Sequence, residues 1–353
     1  MNKKTIVMVL PDLKGNGAER VIMTLADGFI EKDCNVHVIL FSKFIELKSK
    51  FKFQIHVFEK HYRWIPKSIR GAILAPLLDR FIKKKCSNPD LVLSNLLPVD
   101  RILCKSKLNN VFLVIHNTPS YDFFQGLSGR ILSNQIDRFS KIYKLKPSIS
   151  VSKGVKENFD SFFKNKNKSY QIYNPIDTEF ISNLASQYNT ISDYIIHVGK
   201  FKNQKRHDIL IKSYAKSKIK ERLVLVGQGP LQDKSIDLVK NLKIEDKVIF
   251  TGFQSNPYPY MKNAKFMVLS SEFEGLGMVI LESLALNTPV ISTDCDSGPR
   301  EILPEENLVP INDVNALANK ISAVSDNTAN YSCNIRKEFL LENVVKEYIK
   351  LIN

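Results

Sequence analysis

No apolar run in this 353-residue sequence approaches the ~20 residues needed to cross a bilayer. The N-terminal Met1-Asn2-Lys3-Lys4 resembles the basic start of a signal peptide. The apolar stretch behind it, Thr5–Leu10, is too short for an h-region and ends in Pro11-Asp12 without a small-residue cleavage site. Cysteine is scarce: Cys34, Cys86, Cys104, Cys295 and Cys333 form an odd set without CxxC spacing, which argues against a disulfide framework and against a zinc site. There is no repeat of solenoid period, and the one biased stretch is a short Lys/Asn run, Phe162–Lys168. These absences lead to the expectation of a soluble, reduced, cytoplasmic chain.

Acidic residues are also in deficit, 36 Asp plus Glu against 51 Lys plus Arg, and the imbalance is local. Residues 1–180 hold 30 basic and 16 acidic residues, and residues 181–353 hold 21 and 20, so nearly all of the net +15 lies in the first half. A polyanionic partner facing that half is the implication: nucleic acid, an anionic membrane or a phosphorylated substrate. The length exceeds the ~250–300 residues at which single cores stop growing, so two domains are expected.

What is present is a regular alternation of short β-branched runs with helix-length amphipathic segments. Strands are predicted at Thr5–Leu10, Asn35–Phe41, Phe53–Phe58, Asp90–Ser94, Val111–His116 and Ser148–Ser152. A second set falls at Tyr194–Val198, Arg222–Val226, Val248–Thr251, Phe266–Leu269, Pro289–Ser292 and Leu308–Pro310. Continuously apolar strands alternating with helices indicate parallel sheets covered on both faces. The expected fold is α/β, with two doubly wound Rossmann-like domains facing across a cleft and joined within Tyr173–Ile191. In such sheets ligands bind beyond the carboxyl ends of the strands.

The loops at those ends carry the candidate chemistry. After the first strand, Gly15-Asn16-Gly17-Ala18-Glu19-Arg20 leads into a helix over Val21–Ile30. It lacks the Lys-Ser/Thr of a Walker A loop and the third glycine of a dinucleotide fingerprint. Gly199 and Lys200 end a strand and are followed by Lys202, Lys205 and Arg206, cations able to clamp a diphosphate. Gly227-Gln228-Gly229-Pro230 is a second glycine turn, and Phe253 follows a strand as an aromatic able to flank a base. The stretch Ser270–Ala285 is the most specific. A helix expected to begin near Leu276 aims the backbone N–H groups of Leu276, Gly277 and Met278 at an anion. Glu274 lies just outside it and Glu282 about two turns inside, ~10–12 Å apart at 1.5 Å per residue. That spacing suits one carboxylate at a sugar and one at a ribose.

The Glu274-x7-Glu282 segment, the Gly17-Ala18-Glu19-Arg20 loop, Gly199-Lys200…Lys205 and Val226-Gly227-Gln228-Gly229-Pro230-Leu231 resemble the retaining glycosyltransferases of family 4. Pro289–Cys295 followed by Ser297–Leu303 is similar to a bacterial subset that extends lipid-linked oligosaccharides for O-antigen, capsule or protein glycosylation. The resemblance implies the GT-B fold: an acceptor-binding domain over 1–178, a nucleotide-sugar domain over 179–332, and a C-terminal helix within 333–353 crossing back to the first domain. It implies that Glu274 holds donor-sugar hydroxyls, Glu282 the ribose, and Lys200 and Lys205 the leaving diphosphate. Gly17 would approach the phosphates, and His116 would lie near the transferred sugar. Arg206 stands where many relatives have glycine. The implied donor is a nucleotide sugar, UDP-linked first and GDP-linked second, and the implied acceptor a polyprenyl-diphosphate-linked oligosaccharide. Asp294-Cys295-Asp296 imitates an Asp-x-Asp metal motif of the other major glycosyltransferase fold, and no metal or other cofactor is expected.

Ile65–Lys85, with Ile69, Ile73, Leu77, Leu78, Phe81 and Ile82 among Lys67, Arg70, Arg80 and Lys83–Lys85, reads either as an interfacial helix kinked near Pro76 or as an ordinary core helix. Ile131–Lys146 is a second basic amphipathic stretch. Together they suggest peripheral binding to the anionic inner face of the cytoplasmic membrane; a monomer is expected. Two rival readings stay open: a nucleotide-sugar epimerase of the same fold, separable by product analysis with and without acceptor, and a basic nucleic-acid-binding protein. The second explains the charge but not the Glu-x7-Glu segment, and no nucleic-acid module is recognisable; no nucleic-acid partner is expected.

Overall fold

The computed structural model describes residues 3–14, 17–44, 52–59, 64–163, 168–188 and 191–352. Gly15 and Asn16 of the first glycine loop, and 164–167 of the Lys/Asn run, lie outside the described residues. The chain forms two compact units: Met1–Pro175 together with Glu338–Asn353, and Ile176–Lys337.

The first unit contains β1 (Thr5–Leu10), β2 (Asn35–Leu40), β3 (Gln54–Val57), β4 (Leu91–Asn95), β5 (Val111–Ile115), β6 (Ser148–Ser150) and β7 (Ser169–Gln171). They pair in parallel in the order β3-β2-β1-β4-β5-β6-β7. Alternation along β1 feeds two cores. Ile6, Met8 and Leu10 pack with Ile22, Leu25 and Phe29 of the helix Gly17–Glu31, while Val7 and Val9 pack with Leu74, Leu78 and Ile82 of the helix Lys67–Cys86. A strand buried on both faces is written mostly in apolar residues, which is why β1 and β5 read as nearly unbroken runs, whereas β4 turns polar at Ser94 and Asn95.

The second unit contains β8 (Tyr194–Val198), β9 (Arg222–Val226), β10 (Val248–Gly252), β11 (Met267–Leu269), β12 (Val290–Thr293) and β13 (Leu308–Val309), all parallel in the order β10-β9-β8-β11-β12-β13. Strand order reverses between β1 and β4 in one sheet and between β8 and β11 in the other. Those reversals open the crevices in which doubly wound sheets hold ligands.

Each of the twelve strands predicted from sequence is present within a residue or two at its ends. β7 has no counterpart among them, because Ser169-Tyr170-Gln171 is too short and polar to register as an apolar run. The expected join at Tyr173–Ile191 is not a bare linker. It holds a helix, Thr178–Ala185, whose N-cap Asp177 accepts from the Phe180 N–H at 2.9 Å, and the second unit starts at Ile176. The last helix, Leu341–Ile349, belongs to the first unit: Leu341, Val344, Val345 and Tyr348 join the core under the helix Gly17–Glu31, with Tyr348 edge-on to Phe29 at 6.0 Å. Pro76 lies inside an unbroken helix, Lys67–Cys86. No described helix is long and apolar enough to cross a membrane.

Candidate active site

The crevice between β8 and β11 in the second unit gathers the strongest candidates. β8 delivers Gly199 and Lys200, a 3-10 turn over Asn203–Lys205 follows, and β11 delivers the Ser270–Gly277 loop. The two segments are tied by backbone and side chain: Glu272 N–H donates to Gln204 O at 2.8 Å, Gln204 Nε2 to Phe273 O at 2.6 Å, and Ser270 Oγ to Lys205 O at 2.8 Å. These bonds fix Lys205 against Glu274, Nζ to Oε1 at 2.6 Å, with both side chains mostly removed from solvent. Ser271 Oγ donates to the same oxygen at 2.6 Å, and Ser297 Oγ holds the Glu274 carbonyl. Both donors converge on Oε1, so Oε2 has no protein donor among the described residues. A carboxylate held at one oxygen and open at the other is built to accept hydroxyl groups.

The helix after this loop begins at Met278, two residues later than expected, because Gly277 adopts φ +85° and serves as its N-cap. Glu282 is therefore the fifth helical residue, little more than one turn inside rather than two, and it is half-buried. Leu276 and Gly277 are buried beside Glu274, and Met278 opens the helix. Lys200 is exposed and makes no ion pair among the described residues. Phe253 lies beyond β10 with its ring exposed and is not part of the Lys205–Glu274 cluster. Arg206 has φ +46°, a conformation that suits glycine, and its guanidinium is taken up by Asp208 at 2.9 Å and by Asn312. Asp294 accepts from Arg300 Nε at 2.9 Å and Asp296 is within 3.9 Å of the same guanidinium, so a cation there would compete with an existing partner. Burial pushes the Cys295 thiol up to about 12, an inert form.

Sequence reasoning missed two histidines under this floor. His197 Nδ1–H donates to Val268 O at 2.8 Å, and His207 stacks on Phe201 with ring centroids 4.0 Å apart. Burial lowers His197 to about 4 and His207 to about 2. Both rings are neutral in the fold and recover a value near 6.5 on unfolding. The unfolded chain thus binds more protons below that pH, and the stability present above it is lost as pH falls from ~6.5 toward 4. The thermal midpoint of unfolding is expected to fall between pH 7 and pH 5, and His207→Phe to flatten that dependence. An equally steep fall in the variant would reject the assignment.

The remaining candidates belong to the first unit. His116 follows β5, half-buried, and desolvation lowers it to about 4. Its Nε2 lies 3.0 Å from Asn95 Oδ1, while Asn95 Nδ2 donates to Leu93 O and Val9 O. Those carbonyls fix the amide's orientation, so His116 carries its proton on Nε2 and offers Nδ1 as an acceptor that has no partner among the described residues. Asn95, at the β1/β4 reversal, was not singled out from sequence. Gly17 is the first helical residue, with open space where a side chain would stand.

Comparison with known proteins identifies the family. The family description "Glycosyltransferase Family 4" matches residues 15–180, and "Glycosyl transferases group 1" matches 185–338. The chain is 32% identical over 324 residues, 86% of each sequence, to the N-acetylgalactosamine-N,N'-diacetylbacillosaminyl-diphospho-undecaprenol 4-alpha-N-acetylgalactosaminyltransferase of Campylobacter jejuni. Over 161 residues, 44% of this chain and 45% of the other, it is 30% identical to the lipopolysaccharide 1,6-galactosyltransferase of Salmonella typhimurium. Among solved structures, HepE of Anabaena in complex with UDP and glucose matches with a TM-score of 0.72 at 18% identity, covering 99% of this chain and 96% of that one. At that identity the likeness speaks for the fold alone. By its family matches, its full-length relative and its paired parallel sheets, the chain belongs to the family 4 glycosyltransferases and has their GT-B fold.

Proposed function

We propose that this glycosyltransferase moves a hexose or N-acetylhexosamine from a UDP-sugar to a hydroxyl of a polyprenyl-diphosphate-linked glycan, with retention of anomeric configuration. The observation that carries the reading is the Lys205–Glu274 pair at the β8/β11 reversal, with Oε2 of Glu274 left open. In this reading Glu274 accepts donor-sugar hydroxyls, and Lys205 with Lys200 stabilises the charge that develops as the nucleoside diphosphate leaves. The helix end at Gly277 and Met278 adds its dipole, Leu276 walls the floor, and Glu282 takes the ribose. Phe253 flanks the base, and Gly199 leaves room above His197. On the first unit, His116 serves the transferred sugar and Gly17 the donor phosphates. No metal takes part, so activity is undiminished in chelator. The lipid-diphosphate acceptor named for the Campylobacter relative and the UDP held by HepE favour these substrate classes. A donor panel with a synthetic polyprenyl-diphosphate-linked acceptor tests them, read by product mass and by the anomeric configuration formed. Conversion of the nucleotide sugar without acceptor would support an epimerase instead.

The acceptor's lipid also requires a membrane, and we place the attachment on the helix Lys67–Cys86. Its inner row, Leu74, Leu78 and Ile82, is core, whereas Ile69, Ile73 and Leu77 on the opposite face are 49%, 44% and 38% exposed beside Arg80, Lys83 and Lys84. Ile131 is exposed in the same way on the helix Gly129–Tyr143. Apolar side chains presented with lysines suit an anionic leaflet, where each cation contributes ~1 kcal/mol. Vesicles containing phosphatidylglycerol are expected to bind the protein in a salt-sensitive way. Lys83→Glu with Lys84→Glu should weaken binding at least ~10-fold. Failure of the parent protein to bind at any salt concentration would overturn the placement.

A further inference from the structure

A cluster on the far edge of the first sheet takes no part in the chemistry above. His37 on β2, His56 on the edge strand β3 and Cys86 at the last turn of the helix Lys67–Cys86 each point a ligand-type atom into one spot, all within 4.8 Å of one another. His37 Nδ1 and His56 Nε2 are 3.0 Å apart, and the rings stack at 5.3 Å with a 22° interplanar angle. His37 and Cys86 are buried and His56 is half-buried. Register explains the meeting: Ile39 pairs with His56 across the two strands, which puts His56 on the face that His37 shares two residues earlier. The helix then closes over that face, bringing Cys86 down onto it.

We propose that His37, His56 and Cys86 bind a zinc-class divalent cation, leaving one coordination position open to solvent or an added ligand. Two imidazole nitrogens and one sulfur are the donor set such ions favour. Tetrahedral Zn–N bonds of ~2.0–2.1 Å set neighbouring nitrogens ~3.3–3.4 Å apart, so the two rings need to part by only a few tenths of an ångström. Desolvation lowers both imidazoles below their ordinary value, which favours the neutral rings whose lone pairs bind a cation. The ion displaces the hydrogen shared between the rings as His37 takes its Nε2–H tautomer and His56 its Nδ1–H tautomer. Cys86 gives up its thiol proton, so one proton is released per ion bound. Lys85, whose charge acts on both His56 and Cys86, opposes the cation but favours the thiolate. The bound ion would clip the end of the lysine-rich helix to the sheet edge. Cysteine spacing gave no warning of this, because the three ligands stand 19 and 30 residues apart in sequence and meet only through strand register.

Titration of the purified full-length protein with Co²⁺ alone tests the proposal. One equivalent is expected to bind with a sulfur-to-cobalt charge-transfer band and tetrahedral d–d intensity, to be displaced by Zn²⁺, and to raise the thermal midpoint. Cys86→Ser should abolish the sulfur band, and His56→Gln, on the half-exposed edge strand, should weaken binding ~100-fold or more while circular dichroism reports an intact fold. Cys333→Ser should change nothing. No binding by the parent, or a band that persists in folded Cys86→Ser, would overturn the assignment.

Discussion

Purified Glu274→Gln is expected to turn over at ~10⁻² to 10⁻³ of the parent rate, because in the proposed reading the carboxylate's charge and its open oxygen meet the donor sugar where charge develops. Glutamine keeps the shape and can still accept from Ser271 and Lys205, so the fold should survive. The alanine variants are harsher. Removing one member of a buried ion pair strands the other charge at a cost of ~3–5 kcal/mol. Lys205→Ala should therefore lower both the melting temperature and the rate by orders of magnitude. The Glu274→Gln/Lys205→Ala double variant should lose far less than the product of the single losses, since the two side chains share one oxygen and act as a unit. Near-normal rates in folded single variants would sink the site assignment.

Gly227→Ala is expected to be the most destabilising single methyl in the second unit. Gly227 has φ +144°, and a Cβ there would lie 2.1 Å from the Gly199 carbonyl oxygen. The obstacle is backbone on the β8 loop, pinned by Gly199 N–H to Val226 O and Gly227 N–H to Gly252 O, both at 2.9 Å, so no rotamer change relieves it. The cost is on the order of 3 kcal/mol or more, equivalent to a fall of roughly 6–12 °C in the unfolding midpoint of a unit this size. A midpoint within about 2 °C of the parent would show that the two loops can separate freely. Because Gly199 and Lys205 move with that loop, activity is expected to drop further than the unfolded fraction explains.

The sheets were legible because parallel strands covered on both faces are written mostly in apolar residues, as Ile6–Leu10 and Leu223–Val226 are. The candidate-site loops were legible because glycine and charge cluster where those strands end. Partnerships across the crevice were not: Lys205 and Glu274 are 69 positions apart, and nothing local announces that Ser271 and Ser297 fasten Glu274 or that Asn95 fixes the tautomer of His116. The amphipathic stretch Ile65–Lys85 could be read as an interfacial or as a core helix, and its sequence did not say which apolar residues face the core. Leu74, Leu78 and Ile82 do, and Ile69, Ile73 and Leu77 do not. Arg206 could be flagged as a departure from glycine, but its left-handed backbone and its hold on Asp208 and Asn312 emerge only in three dimensions.

The return of Leu341–Ile349 to the first unit also sets a schedule. During synthesis residues 1–175 emerge before the second unit, yet the core around Ile22, Leu25 and Phe29 lacks Leu341, Val344, Val345 and Tyr348 until residues 341–348 are made. The second unit is contiguous and complete at Lys337. Domains fold as units while the chain lengthens, so the half that starts later can finish earlier, and the flank of the helix Gly17–Glu31 stays uncovered until Leu341–Ile349 is made.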